Sequence, residues 1–137
     1  FMTEKKGLVF ESEIDPRLPG QLYGDPYWLK QILHNLVNNA LKFTDKGMIK
    51  VRLFLVDESH WAMQVSDTGV GIPEEAREII FEAFRQVEGK KATGGSGLGL
   101  AIVSQLTALM NGKIELLSEV GRGSLFTVTL PLSVSKE

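Results

Sequence analysis

Apolar residues recur at steps of three and four between Asp25 and Thr44, and this spacing predicts an amphipathic helix. Asp25 can accept from the first free backbone N–H groups, and Pro26 suits the first helical position because it has no donor to lose. The apolar positions are Leu29, Ile32, Leu33, Leu36, Ala40 and Phe43. We therefore expect one face of this helix to lie on a hydrophobic core.

Beside the apolar face, the same helix carries a stripe of amides and one ammonium group. Its members are Gln31, Asn35, Asn38, Asn39 and Lys42. Asparagine forms helices poorly because its amide competes for backbone partners, so the stripe has a local cost. A binding site would explain why that cost is tolerated.

Apolar segments bounded by turn residues predict five strands, over residues 8–14, 48–56, 61–66, 112–118 and 124–131. A short helix is expected from Pro73 to about Ile80, followed by a mobile loop over residues 85–96. A second long helix is expected over residues 97–110. Its predicted apolar stripe consists of Leu98, Ala101, Ile102, Leu106 and Leu109.

This order of elements predicts an α+β fold of two layers, with three main helices on one face of a mixed, mostly antiparallel sheet of about five strands. With 137 residues, of which 43% are hydrophobic, the chain is expected to form one domain over residues 1–137. Residues 1–6 are interpreted as a linker or expression remnant.

Charge and composition give no support for several classes of partner, although local patches could still be basic. The formal net charge of -2 gives no electrostatic reason to expect nucleic acid or an anionic membrane as a partner. No apolar run of about 18 residues predicts a membrane span. The absence of cysteine fits a cytoplasmic setting, although the parent protein could still be membrane-bound.

Three local features suggest ligand chemistry, and each has a simpler alternative. Asp67 can only accept hydrogen bonds and could select an amino group such as that of adenine, or it could merely close a turn on Gly69. The glycine-rich residues 94–100 could bind phosphate or form a flexible hinge before a helix. Asn39 offers an amide oxygen suited to Mg²⁺, or it could be an ordinary solvated helix residue.

Together, the motifs resemble those of sensor histidine kinases in type and order. Residues 35–44 resemble the N box, residues 67–73 the G1 box, residues 81–84 the F box, residues 95–100 the G2 box and residues 121–124 the last glycine motif. The resemblance extends from about Val9 to Leu132. It implies an ATP-binding catalytic domain with the Bergerat-type sandwich shared with gyrase, heat-shock chaperones and mismatch-repair ATPases.

The resemblance implies roles for the amide stripe of the first helix. Asn39 would coordinate Mg²⁺, with Asn35 nearby, and Lys42 would meet phosphate; Asn39 and Lys42 are thus the implied catalytic residues. Phe43 would help to wall the base or ribose. The implied cofactors are ATP and Mg²⁺.

The resemblance also implies roles for the loops. Asp67 would read the adenine amine, while Gly69 and Gly71 would let the backbone turn under the base. Residues 85–96 would form the ATP lid. Further implied nucleotide-binding positions are Ile72, Phe84, Gly95, Ser96, Gly97, Leu98, Gly99 and Leu100.

Two positions depart from the common pattern of the family. Ser96 replaces a frequent threonine and keeps the hydroxyl group. Gln86 stands where many members have arginine, as in a sizeable subgroup, so the cation that meets the γ-phosphate is open. Arg85, Lys90 and Lys91 are the candidates.

Asn35 also bears on the reaction type. The hydrolytic relatives carry a glutamate at this position as the base for water, and a neutral amide cannot take a proton at pH 7. The resemblance therefore implies transfer of the γ-phosphoryl group to a histidine on a separate phosphoacceptor and dimerisation domain, with a response regulator receiver domain downstream. Two alternatives stay open: a regulatory nucleotide-binding module, and ATPase-driven cycling, which Asn35 disfavours.

The histidines of this chain do not suit the role of phosphoacceptor. There are two, His34 inside the first helix and His60 at a predicted hairpin turn, and both are expected at the surface. The acceptor histidine is therefore expected outside these 137 residues.

Overall fold

The computed structural model describes residues 8–18, 26–77 and 99–132. The strands in these ranges are β1 (Leu8–Ile14), β2 (Gly47–Leu55), β3 (His60–Asp67), β4 (Lys113–Glu119) and β5 (Gly123–Pro131). The helices are α1 (Pro26–Phe43) and α2 (Gly99–Leu109), with a 3-10 turn at Glu74–Ala76. Asp25, the predicted cap of α1, lies outside the described residues.

The five strands form one mixed sheet in the order β1-β2-β3-β5-β4. β1 pairs in parallel with β2, and the other neighbours pair antiparallel. The parallel pair follows from chain order, because α1 lies between β1 and β2 and returns the chain to the same end of the sheet. The predicted sheet type and strand number are confirmed.

The helices form the second layer. α1 packs on β2 and β3, α2 packs on β4, and the two helices contact each other. Ile32 and Leu36 of α1 are fully buried in the same core cluster as Ile49 of β2 and Val65 of β3. The other face of the sheet carries a row of polar contacts: Arg52 donates to Gln64 at 3.2 Å, and Gln64 donates to Thr127 at 3.1 Å. The predicted two-layer α+β architecture is confirmed.

The predicted buried face of α2 is wrong in part. Ile102 and Leu109 were expected in the apolar stripe, but they are 36% and 65% exposed. The buried side includes Val103, Thr107 and Met110. This helix is apolar around most of its circumference, so residue spacing alone cannot select the side that packs.

The third predicted helix is only a 3-10 turn in the described residues. It covers Glu74–Ala76, with Pro73 before it in an extended conformation. Residues 78–80 of the predicted helix lie outside the described residues, so the described ranges contain two α-helices where three were expected. No helix in these ranges combines the length and apolarity needed to cross a membrane.

Candidate functional site

Asp67 is a buried carboxylate at the end of the central strand β3. It is 7% exposed, and its Oδ1 accepts the Gly69 backbone N–H at 2.8 Å. Burial raises the pKa of Asp67, while hydrogen bonding to the Gly69 N–H, the Thr44 side chain and the Ser124 backbone opposes that shift. The turn expected as the simpler alternative is thus present, but it engages one of two carboxylate oxygens.

The loop after Asp67 is attached to the C-terminal end of α1. Val70 N–H donates to the Phe43 carbonyl oxygen at 3.2 Å. A Cβ at Gly69 would lie 2.1 Å from the same oxygen, closer than any side chain can come. Glycine is therefore required at position 69 for internal packing. This contact places Asp67 and the end of α1 in one structural unit.

The same loop also contacts the β4–β5 hairpin. Gly71 has a φ of +78°, and a Cβ there would lie 2.4 Å from the Glu119 carbonyl oxygen. Gly121 N–H donates to the Val70 carbonyl oxygen at 2.9 Å. The loop is thus enclosed between the helix end on one side and the hairpin on the other.

Asn39 is the buried member of the amide stripe. It is 7% exposed, and no hydrogen bond joins its side chain to another described residue. It lies four residues, or about 6 Å along the axis, before Phe43. An amide that is buried and has no hydrogen-bond partner among the described residues is compatible with a metal or ligand contact.

Asn35 and Lys42 complete the stripe on either side of Asn39. Asn35 Nδ2 donates to the Gln31 carbonyl oxygen at 2.9 Å, which fixes the amide and leaves its oxygen as an acceptor. Lys42 is exposed at the last turn of α1. No group of three histidine, aspartate or glutamate side chains in the described ranges could hold a metal. An ion here would depend on amide oxygens and on oxygens supplied by a ligand, which Mg²⁺ tolerates.

Residues 24–134 match the model of the family described as histidine kinase-, DNA gyrase B- and HSP90-like ATPases. The chain belongs to this family.

Curated relatives of this ATPase-family chain include histidine kinases. It is 46% identical over 135 residues to hybrid signal transduction histidine kinase L of Dictyostelium discoideum, covering 93% of this chain and 8% of the relative. It covers 14% of the sensor histidine kinase TmoS of Ectopseudomonas mendocina. The chain therefore spans only a small part of the curated relatives that it matches.

Solved histidine kinase structures share the fold. Full-length ShkA in complex with AMPPNP superposes with a TM-score of 0.85 at 36% identity, over 99% of this chain and 28% of that one. The catalytic domain of histidine kinase ThkA superposes with a TM-score of 0.79 at 29% identity, over 95% of this chain and 84% of that one. The fold of this chain is that of histidine kinase catalytic domains.

The remaining predicted positions of this ATPase-family domain divide into those that the structure describes and those that lie outside the described residues. The side chains of Ile72 and Leu100 are packed in the core, and Phe43 is partly exposed at the end of α1. Gly99 is the first residue of α2. The other predicted positions, Phe84, Gly95, Ser96, Gly97 and Leu98, lie outside the described residues together with Gln86 and the candidate cations Arg85, Lys90 and Lys91.

Sequence reasoning did not assign roles to three residues that surround Asp67. Thr44 is fully buried beside it, and Ser124 is its direct partner across β3 and β5. Ser118 on β4 contacts Ser124, with 2.8 Å between the hydroxyl oxygens. The glycine motif at residues 121–124 was the one available signal, because it drew attention to the hairpin that carries these serines.

Proposed function

We propose that this domain binds Mg-ATP and donates its γ-phosphoryl group to a histidine on a separate dimerisation and phosphoacceptor domain. One observation carries the proposal: a buried carboxylate, Asp67, is tied through its loop to the end of the helix that presents Asn39 and Lys42. A base-reading acceptor and a phosphate-facing stripe therefore belong to one unit. The match to histidine kinase catalytic domains supports this assignment.

Asp67 would select the base. A carboxylate has no proton to donate at neutral pH, so it favours a ligand that presents an amino group, such as adenine. Burial raises the cost of keeping this carboxylate ionised, and the groups that donate to it are neutral, so a further donor from a ligand would be favourable. An adenine amine would supply that donor, whereas a carbonyl at the same position of the base would meet a second acceptor.

Asn39 and Lys42 would bind and orient the triphosphate. The Asn39 amide oxygen suits Mg²⁺, which supplies charge neutralisation at the phosphates when bound. Lys42, on the exposed last turn, would add one positive charge near the phosphates. Gly99 and Leu100 at the start of α2 would contribute backbone N–H groups, because the first N–H groups of a helix have no partner within it.

Asn35 favours transfer over hydrolysis. Its Nδ2 already donates to the Gln31 carbonyl oxygen at 2.9 Å, and a neutral amide cannot accept a proton from water. The domain would therefore hold the γ-phosphate until an acceptor side chain reaches it. Positioning and charge neutralisation would supply most of the rate enhancement.

The acceptor would come from another domain. His34 is exposed on α1, where its Nε2 lies 3.0 Å from Asn38 Nδ2, and His60 lies against Asp57 at the β2–β3 turn. We propose the phosphoacceptor and dimerisation domain as the direct partner and a response regulator receiver as the later recipient, in the cytoplasm. No partner role is proposed for nucleic acid or for direct membrane contact.

Phosphotransfer tests this function. The chain would be mixed with a separately produced phosphoacceptor domain of its parent protein and γ-labelled ATP, and the product tested for acid-labile, base-stable phosphate. We expect label on the acceptor that depends on Mg²⁺. If ATP binds but no label transfers, the domain is a regulatory nucleotide module. Steady release of phosphate by this chain alone would instead support ATPase cycling.

A further inference from the structure

The Ser118 hydroxyl lies where the loop after Asp67 meets the β4–β5 hairpin. Its Oγ accepts the Ile72 backbone N–H at 2.8 Å and lies 3.0 Å from the Gly123 carbonyl oxygen. It also lies 2.8 Å from the Ser124 hydroxyl oxygen. One side chain therefore touches both the loop and the strand residue opposite Asp67.

Donor and acceptor counting gives these contacts a single consistent arrangement. A serine hydroxyl has one proton and two lone pairs. The Ile72 N–H can only donate and the Gly123 carbonyl can only accept, so Ser118 donates to Gly123 and accepts from Ile72. It then accepts from Ser124 as its third bond. The hydroxyl of Ser118 is fully used, and it orients the proton of Ser124.

Arg77 closes the same junction from the other end of the loop. Its Nε donates to the Ile72 carbonyl oxygen at 3.2 Å, and its Nη2 donates to the Ser118 carbonyl oxygen. The two polar groups of the Ile72 backbone are thus both held, one by Ser118 and one by Arg77. A planar guanidinium can make these two contacts at once because its donors point in fixed directions.

The residues that Ser118 joins lie on two sides of Asp67. Ile72 is five positions after Asp67 in the loop, and Ser124 is the direct partner of Asp67 on β5. Loss of the Ser118 hydroxyl would remove one bond on each side of the carboxylate. Asp67 itself would stay buried, but the loop that faces a bound base would be less firmly placed.

We propose that Ser118 and Arg77 are positioning residues that hold the loop of residues 67–73 against the β4–β5 hairpin and so set the preference of the site for an amino-bearing base. This inference rests on the proposed nucleotide-binding function. It assigns to these residues no contact with the nucleotide. Their effect is on the geometry in which Asp67 meets the base.

The test compares two nucleotides that differ at the base amine. ATP and ITP would be titrated by calorimetry into the parent chain, Ser118→Ala and Ser118→Thr. In Ser118→Ala we expect ATP affinity to fall about tenfold, the scale of one lost buried hydrogen bond, while ITP affinity changes less than about twofold. Ser118→Thr, which keeps the hydroxyl, should retain the ATP to ITP ratio of the parent.

Arginine variants provide a second, independent measurement. Arg77→Gln removes the contacts to Ile72 and Ser118, whereas Arg122→Gln removes the same charge from an exposed side chain of the hairpin, whose guanidinium lies 3.6 Å from Glu119. We expect the ratio of ATP affinity to ITP affinity to fall about fivefold in Arg77→Gln, because only part of the free energy of one hydrogen bond is lost. The same ratio should stay unchanged in Arg122→Gln. Urea unfolding measures the stability of each variant, and this stability gives the fraction of the variant that is folded under the conditions of the titration.

The outcomes separate the two proposals. If the parent chain does not bind ATP, or binds ATP and ITP equally, the proposed function or the role of Asp67 is wrong. If the parent prefers ATP and folded Ser118→Ala keeps that preference, the positioning role is wrong. Should Ser118→Ala fail to fold, Arg77→Gln decides the question, because a merely structural residue would lower stability without changing the nucleotide ratio.

Discussion

Two aspartates close similar turns at opposite ends of this sheet, and their environments differ. Asp15 follows β1, and its Oδ1 accepts the Arg17 N–H at 2.9 Å; Asp67 ends β3, and its Oδ1 accepts the Gly69 N–H at 2.8 Å. Each bond joins a carboxylate to the backbone two residues later. The local motif is therefore the same in both places.

The two carboxylates differ in what balances their charge, because a cation does so at Asp15 whereas the groups that donate to Asp67 are neutral. The Asp15 carboxylate also accepts the Arg17 guanidinium at 2.8 Å and the Leu55 N–H at 3.1 Å. Hydrogen bonding from Arg17 is the largest cause that holds the pKa of Asp15 well below its usual range. At Asp67, burial is the largest influence, and it raises the pKa.

This comparison separates a structural carboxylate from a candidate ligand-binding one. Asp15 has its charge neutralised within the protein and links the turn after β1 to β2. Asp67 receives neutral donors alone among the causes that shift its pKa, so a further donor from a ligand would be favourable. The turn motif is common to both aspartates, whereas the balance of charge around the two carboxylates differs.

The largest effect on binding is expected at Asp67. Asp67→Asn places an amide donor where the acceptor stood, and ATP affinity should fall by about 1–3 kcal/mol, the cost of a mispaired buried polar group. Calorimetric titration measures it. Asp15→Asn is the matched control and should bind ATP like the parent chain. An unchanged affinity in Asp67→Asn would remove this residue from base recognition.

The next effect is on metal dependence. Asn39→Leu removes the buried amide oxygen, so ATP titrations with and without Mg²⁺ should become nearly equal. Asn38→Leu, which changes an exposed amide on the same helix, should leave the Mg²⁺ dependence intact. If Asn39→Leu still shows the metal dependence of the parent, the proposed metal contact is wrong.

The two aspartate variants should rank in the opposite order for stability: Asp15→Asn should lose more stability than Asp67→Asn, although Asp67→Asn loses more ATP affinity. Asp15→Asn removes the ion pair with Arg17, so the urea midpoint should fall. Asp67→Asn removes a buried charge that burial disfavours, so its midpoint should be equal to or above that of the parent. A larger loss of stability at Asp67 than at Asp15 would contradict the comparison.

The smallest expected effect is on how the stability difference between the parent chain and each aspartate variant depends on pH. Because the pKa of Asp15 is lowered by folding, its contribution is present above the unfolded pKa, near 3.9, and is lost as pH falls toward the folded value. Because the pKa of Asp67 is raised by folding, the stability of the parent chain relative to Asp67→Asn should decrease as pH rises from about 3.9 through the pKa of Asp67 in the folded state. Unfolding midpoints between pH 3 and 7 would show two trends of opposite sign; parallel trends would exclude this explanation.

Part of the candidate site could be predicted from residue types and order. Asp67, Asn39 and the paired glycines carry chemistry that is visible in the sequence, and the motif order identified the family. The packing reason for Gly69 was not visible, because the Phe43 carbonyl that excludes a side chain belongs to another element. The roles of Ser118 and Arg77 were not visible in the sequence either, because their contacts arise only when the loop and the hairpin meet.

By itself, the sequence determined the strands, the first helix and the α+β class, because the spacing of apolar residues reflects the local geometry of each element. Only the tertiary structure decided which side of α2 is buried, since that helix is apolar around most of its surface. It also decided the partners of Asp67 and of its loop. Ser118 and Ile72 are 46 residues apart, and no local pattern encodes a hydrogen bond between them. The polar environment that distinguishes Asp67 from Asp15 is therefore a property of the assembled sheet.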